Sequence, residues 1–240
     1  VLTSIGDQHL LRFGSQKAIT RGLAEVFTSL KPNGLRLCGS KTAAMLGETG
    51  IAPDVRIVDE PTYRGVALPC DHLSVSVKED VAYAAAAADA LDVPLRFVED
   101  ACRHFTPPDR RQKPAIVFGY AGIDDSYNIS QATARAGVEA AKAMAREAGK
   151  KLVVLTAGIP ELPPGADVQI NTEYGAFLAQ HADAVVVLLS EFADAVRKGL
   201  GSIKIKTAHD MSEAVQVLHK NFPQNEYVLL FQSELTDASY

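Results

Sequence analysis

The chain has 240 residues, with 24 Lys and Arg against 29 Asp and Glu, a formal charge of −5 at pH 7. That balance excludes a nucleic-acid binder working through a general basic field, because phosphate neutralisation needs an excess of cationic side chains on one face. At 47% hydrophobic and 22% charged residues the composition is that of a globular protein able to bury about 70–75% of its unfolded surface, and the length sets a prior of one or two domains.

The opening VLTSIG reads as a strand, and a first residue of Val suggests that the chain as given begins inside a larger fold. No basic segment is followed by an apolar one, and no run approaches the roughly 18 apolar residues that span a bilayer, so neither a signal peptide nor a membrane partner is expected. Cys38, Cys70 and Cys102 form no CxxC pair and are odd in number, which fits a reducing, cytoplasmic setting.

In chain order, the first half reads as a helix near Gln16 to Ser29, strands at Leu35 to Cys38, Val55 to Val58 and around Val66 to Pro69, and helices at Val81 to Leu91 and Pro94 to Phe105. These are too few for a large independent sheet and predict a partial α/β layer. From Arg103 to Pro114 the run RHFTPPDRRQKP interrupts every period and marks a domain boundary. Beyond it, Ala115 to Phe118 and Ile123 flank Gly119 and Gly122 as a hairpin, and Ser130 caps a long helix ending near Gly149. Then KLVVLT (Lys151 to Thr156), AVVVLL (Ala184 to Leu189), IKIKTA (Ile203 to Ala208) and YVLLFQ (Tyr227 to Gln232) alternate with helices near Asn171 to His181, Glu191 to Lys198 and Ser212 to Lys220. Nearly continuous apolar strands between helices predict a mostly parallel, Rossmann-like sheet covered on both faces.

Several segments carry chemistry of more than one reading. GLRLCGSKT, Gly34 to Thr42, approaches the phosphate loop G-x-x-x-x-G-K-[ST] but has Ser40 between glycine and lysine, so an ordinary strand-to-helix turn competes with anion binding. No G-x-G-x-x-G occurs. His9 after Gly6 and Asp7, and the Asp71–His72 pair, are open between metal ligation and a packed or solvated role. GIDDSYNIS, Gly122 to Ser130, places Asp124, Asp125, Ser126, Tyr127 and Asn128 just before a helix N-terminus, a junction suited either to anion and amine binding or to capping and turn formation.

Those residues resemble a family, the Mur ligases, and most closely the branch that joins D-alanyl-D-alanine to a muramyl tripeptide. Asp124 to Asn128 match the family's DDSYNANP, while Ile129, Ser130 and Gln131 depart from it. SIGDQHLLRFGS is similar to the family's NIGEAHLERFGS, TPPDRRQ to its PGR exit, and LVVLTAGIPELPPGAD to its strand and ELG segment. The resemblance implies residues 1–113 as a partial central domain and 114–240 as the C-terminal Rossmann-like domain. It implies an ATP-dependent, ADP-forming amide ligase of cell-wall peptidoglycan precursor synthesis, using ATP and Mg²⁺ and taking a nucleotide and a peptide as partners.

By resemblance, His9 is a metal ligand. Arg110, Asp124, Asp125 and Asp80 hold the nucleotide, with Asp80 replacing the asparagine that contacts the adenine. Asp125 and Asn128 serve catalysis, and Ser126, Asn128 and Glu161 face the substrate. The embrace of one triphosphate would set Asp124 to Asn128 across a cleft from His9. Three departures run the other way: no phosphate loop in the sequence, Leu23 where the family carries a carbamoylated lysine, and Phe231, Gln232 and Ser233 where it has KGS. A preceding segment or a partner would then have to supply the loop, and the chain alone is not expected to turn over ATP. The alternative is a non-catalytic binding or scaffold protein on the same fold. An unrelated Rossmann-like hydrolase finds no G-x-S-x-G elbow to support it.

Overall fold

A computed structural model describes residues 1–6, 10–31, 33–51, 54–162 and 165–234. The chain divides into two compact units, Val1–Thr106 and Pro107–Tyr240.

In the first unit, α1 (Leu10–Phe13) and α2 (Gln16–Thr28) are followed by β1 (Leu37–Cys38), α3 (Ser40–Glu48), β2 (Arg56–Ile57), β3 (Thr62–Tyr63), β4 (Val66–Ala67), α4 (Val75–Ala90) and α5 (Leu95–His104). The strands are two residues long: β1 pairs parallel with β2, and β3 antiparallel with β4. The predicted opening strand is reduced to a single bridge, Leu2 to Cys38. The reason is local: Thr3 and Ser4 are exposed, so little apolar surface rewards a longer ladder. Helix α4 starts six residues ahead of the predicted Val81, at Val75, because Ser74 rather than an apolar period marks its start. Two separate cores result. One gathers Ile19, Phe27, Cys38 and Leu46, and the other Tyr63, Leu68, Leu73, Val81, Val98 and Cys102.

The second unit comprises β5 (Lys113–Val117), β6 (Tyr120–Asp125), α6 (Gln131–Glu147), β7 (Lys151–Thr156), α7 (Ala166–His181), β8 (Ala184–Leu188), α8 (Ala193–Leu200), β9 (Lys204–Ala208), α9 (Met211–Asn221) and β10 (Tyr227–Gln232). They form one six-stranded sheet of order β5-β6-β10-β7-β8-β9, parallel except for the β5–β6 hairpin. The hairpin turns on Phe118 and Gly119, both at positive φ, the backbone that suits a two-residue turn between right-twisted strands.

Strands β7, β8 and β10 are apolar almost throughout because both faces are covered. Val228 and Leu230 of β10 point into the core under α6, α7 and α8, and Tyr227, Leu229 and Phe231 into the core under α9. Helix α6 begins with a capping box: Ser130 Oγ accepts the Thr133 N–H and Thr133 Oγ1 accepts the Ser130 N–H. The outer strands carry their own protection, with Lys204 exposed on β9 and Pro114 on β5, groups that discourage pairing with another chain.

Candidate functional site

The last strand in sequence, β10, runs between β6 and β7, and its final residue, Gln232, is in register with both Asp125 and Thr156. Three carboxyl ends of parallel strands thus meet at one edge of the second unit, the place where open α/β sheets gather their ligand groups.

The turn after β6 is held from both sides. Ser126 donates its amide and its hydroxyl to Asp124 Oδ1, at 3.2 and 2.6 Å. Arg110 donates from Nη2 to the Ser126 carbonyl at 2.8 Å and from Nε to Ser126 Oγ at 3.2 Å, while the Tyr127 N–H donates back to the Arg110 carbonyl at 3.1 Å. The Arg111 guanidinium lies 4.1 Å from the centre of the Tyr127 ring, a cation–π contact. Tyr127 is exposed and Asn128, Asp124 and Arg110 are half-buried. The cap of α6 is Ser130, outside DDSYN, so of the two local readings of DDSYN the turn holds, closed by Asp124 accepting from Ser126.

Beneath the turn lies a buried polar network. Gln232 Nε2 donates to Asp125 Oδ2 at 2.9 Å and to the Ala134 carbonyl at 3.1 Å, and Gln232 Oε1 accepts from the Tyr174 hydroxyl at 2.7 Å. Tyr174 Oη is 3.4 Å from Thr156 Oγ1, which accepts the Gly158 N–H. Asp125 is 4% exposed and Gln232 fully buried. Burial raises the Asp125 carboxyl to about 6, against the pull of the Gln232 side chain and the Gln112 amide, both of which donate to it. Burial likewise pushes the Tyr174 phenol far above its usual range. Helix α6 comes close enough that a Cβ on Gly137 would sit 2.6 Å from Gln232 Nε2 and 2.7 Å from Asp125 Oδ2. Ser233 Oγ is buried at the same edge and has no hydrogen-bond partner among the described residues.

Arg110, Asp124, Asp125, Ser126 and Asn128 are therefore brought together. Glu161 lies in the loop after β7, at φ 56°. That loop is fixed by Asn171, which accepts the Ile159 N–H and donates to the Ile159 carbonyl. Asp80 belongs to the other unit, exposed on α4, where it lines an apolar cavity of about 440 Å³ with Val77, Val81 and Phe97. His9 lies outside the described residues. Gly39 is the N-cap of α3, and the Ser40 amide donates to Asp59 Oδ1 at 2.8 Å, so the near-phosphate-loop segment forms a strand-to-helix turn capped by a carboxylate of the same chain. Among the described residues no group of three His, Cys, Asp or Glu is placed to hold a metal ion. No helix among them is long and apolar enough to cross a membrane.

Gln232, Tyr174, Thr156 and Asn171 are absent from the sequence-based site. The available signal was slight: a polar residue ending each of the apolar runs KLVVLT and YVLLFQ.

Comparison with solved structures places this architecture. The MurF ligase of Thermotoga maritima in complex with ADP superposes over 97% of this chain and 57% of its own length, with a TM-score of 0.74 and 17% identity. The MurF of Acinetobacter baumannii superposes over 96% and 55%, with a TM-score of 0.73 and 23% identity. The fold is that of the Mur ligases. It extends to a bifunctional folylpolyglutamate synthase/dihydrofolate synthase with Mn, AMPPNP and L-glutamate bound, matched over 91% of this chain and 54% of that one, with a TM-score of 0.61 and 14% identity. The chain spans little more than half the length of these proteins. No protein-family model matches the sequence, and no curated protein matches it.

Proposed function

We propose that this chain is the nucleotide- and acceptor-binding part of a Mur-ligase-like, ATP-dependent, ADP-forming amide ligase of cell-wall precursor synthesis in the cytoplasm. The observation that carries this reading is Arg110 hydrogen-bonded to the Asp124–Asn128 turn at the carboxyl edge of the parallel sheet, within a fold shared along nearly the whole chain with a ligase in complex with ADP. Arg110 and Arg111 offer cationic groups to phosphate oxygens, which in phosphoryl transfer and acyl-phosphate chemistry stabilise charge without bond-making by the protein. Ser126 and Asn128 line the approach of the amine, and Glu161 meets its charge. Asp124 shapes the turn through Ser126.

A second reading, a binding or scaffold protein, is favoured by Leu23. It stands 41% exposed on α2 where the resemblance calls for a modified lysine, and an aliphatic side chain cannot ligate a hard cation. Titration calorimetry with ADP separates the two. Micromolar binding that Arg110→Ala abolishes supports the nucleotide site, and no heat supports the scaffold. Phosphate release with UDP-muramyl tripeptide and D-alanyl-D-alanine is expected to be absent from the chain alone, because its sequence holds no phosphate loop.

A further inference from the structure

Asp125 is the acid that the family motif would aim at a ligand, yet its surroundings belong to its own chain. Oδ2 faces Gln232 Nε2 at 2.9 Å, and the backbone N–H of Gln112 donates to the same carboxylate. The Gln232 amide cannot turn over in place. Its NH₂ group serves Asp125 and the Ala134 carbonyl together, and its oxygen takes the Tyr174 proton. A flip would set NH₂ against the Tyr174 donor and leave two acceptors without hydrogens.

The segment that Asp125 grips is strained. Arg110 and Gln112 both lie in the left-handed region, at φ 63° and 51°, which non-glycine residues occupy only where surrounding structure holds them. One hold on Gln112 is the Asp125 carboxylate, and the β5–β6 ladder begins at the next residue, with Lys113 opposite Asp124. Two residues upstream of Gln112, Arg110 lies over Ser126.

We infer that Asp125 is a positioning residue: its buried carboxylate clamps the Arg110–Gln112 segment to the end of β6 and acts on a nucleotide only through Arg110. The inference rests on the reading above for Arg110 as the phosphate-facing group. Gln232, which departs from the family's KGS, completes the clamp and connects it to α7.

The clamp is proton-linked. The titratable or charged groups facing Asp125 are Asp124 on the same strand, Arg111 on the entering segment and Tyr174 on α7. From β10 and α6 come Gln232, Ala134 and Gly137, which do not titrate. A protonated carboxyl is a weaker acceptor for the Gln112 N–H, so the segment loosens as pH falls through about 6.

The test is amide hydrogen exchange at Gln112 in the full chain, paired with ADP calorimetry. Lowering pH from about 7.5 to about 5 should reduce the Gln112 protection factor roughly tenfold, following the ionised fraction. The Val186 amide in β8 should keep its protection. Asp125→Asn should show low Gln112 protection at both pH values, and Gln232→Met should move the midpoint upward. The Gln232→Met arm carries the test if Asp125→Asn does not fold. Losses of ADP affinity in Asp125→Asn and Arg110→Ala should be non-additive in the double variant, as expected when one residue acts through the other. Gln112 protection that ignores both pH and these substitutions overturns the inference, as do additive affinity losses. If the wild-type chain binds no ADP, the nucleotide reading fails, and the exchange data alone still decide whether the clamp exists.

Discussion

The two units use similar residue types to different effect. In the second, six strands of five or six residues share one sheet, and residues such as Val154, Val186 and Leu230 are fully buried. In the first, the strands are two residues long and the apolar residues are divided between two small clusters. It also leaves Leu11, Phe13, Leu23, Val26, Phe97 and Phe105 substantially exposed. The difference shows what a continuous sheet contributes: each strand covered on two faces turns a run of five apolar residues wholly into core, whereas an isolated bridge such as Leu2 to Cys38 joins only those two buried residues.

This contrast is broken most directly at Leu230. Leu230→Ala removes a fully buried side chain at the centre of the sheet and should cost about 2–5 kcal/mol in urea unfolding. A loss below about 1 kcal/mol would mean that the second unit does not rest on its sheet core as described.

Next in size is the titration of Asp125. Its carboxyl is raised by burial from 3.8 to about 6 in the folded chain, so the folded state binds the proton more tightly than the unfolded one. The associated stability is fully present below about pH 4 and is lost as pH rises through about 6, a change of about 3 kcal/mol at 1.36 kcal/mol per pKa unit. Asp125→Asn should flatten that part of the stability–pH curve, read by urea titrations at a series of pH values. An unchanged slope would show that the carboxyl is not desolvated.

The capping box sharpens the comparison at a local level. Ser130→Ala leaves the Thr133 amide without its acceptor and should cost about 1 kcal/mol, seen as a lower urea midpoint with an unchanged slope. The smallest effect belongs to the first unit: Leu23→Ala, on an exposed face, should stay within about 0.5 kcal/mol of wild type. A larger loss would show that this face is covered in solution.

Legibility followed the same division. KLVVLT and YVLLFQ coincide with β7 and β10 residue for residue, since a strand buried on both faces carries its signal in every position. Ser130 was readable as an N-cap from its own chemistry. The first unit was less so: its strands are two residues long, too short for a period, and the start of α4 precedes its apolar period. Of the candidate site, the Asp124–Asn128 turn was legible as a local motif, and Arg110 only through the family resemblance of TPPDRRQ. Gln232, Tyr174 and Thr156 were not, because a glutamine or threonine ending an apolar strand looks the same whether it meets solvent or a buried acid.

The amino-acid order alone therefore determined the alternation of strands and helices in the second half, the cap of α6, and the acidic turn, whereas the seat of Arg110 on that turn is tertiary. Only the tertiary structure decided that β10 inserts between β6 and β7, and so that Gln232 meets Asp125 across 107 residues of chain. Periodicity reports which face of an element is apolar, whereas strand order and the partner of a buried polar atom are fixed by how all the faces pack at once.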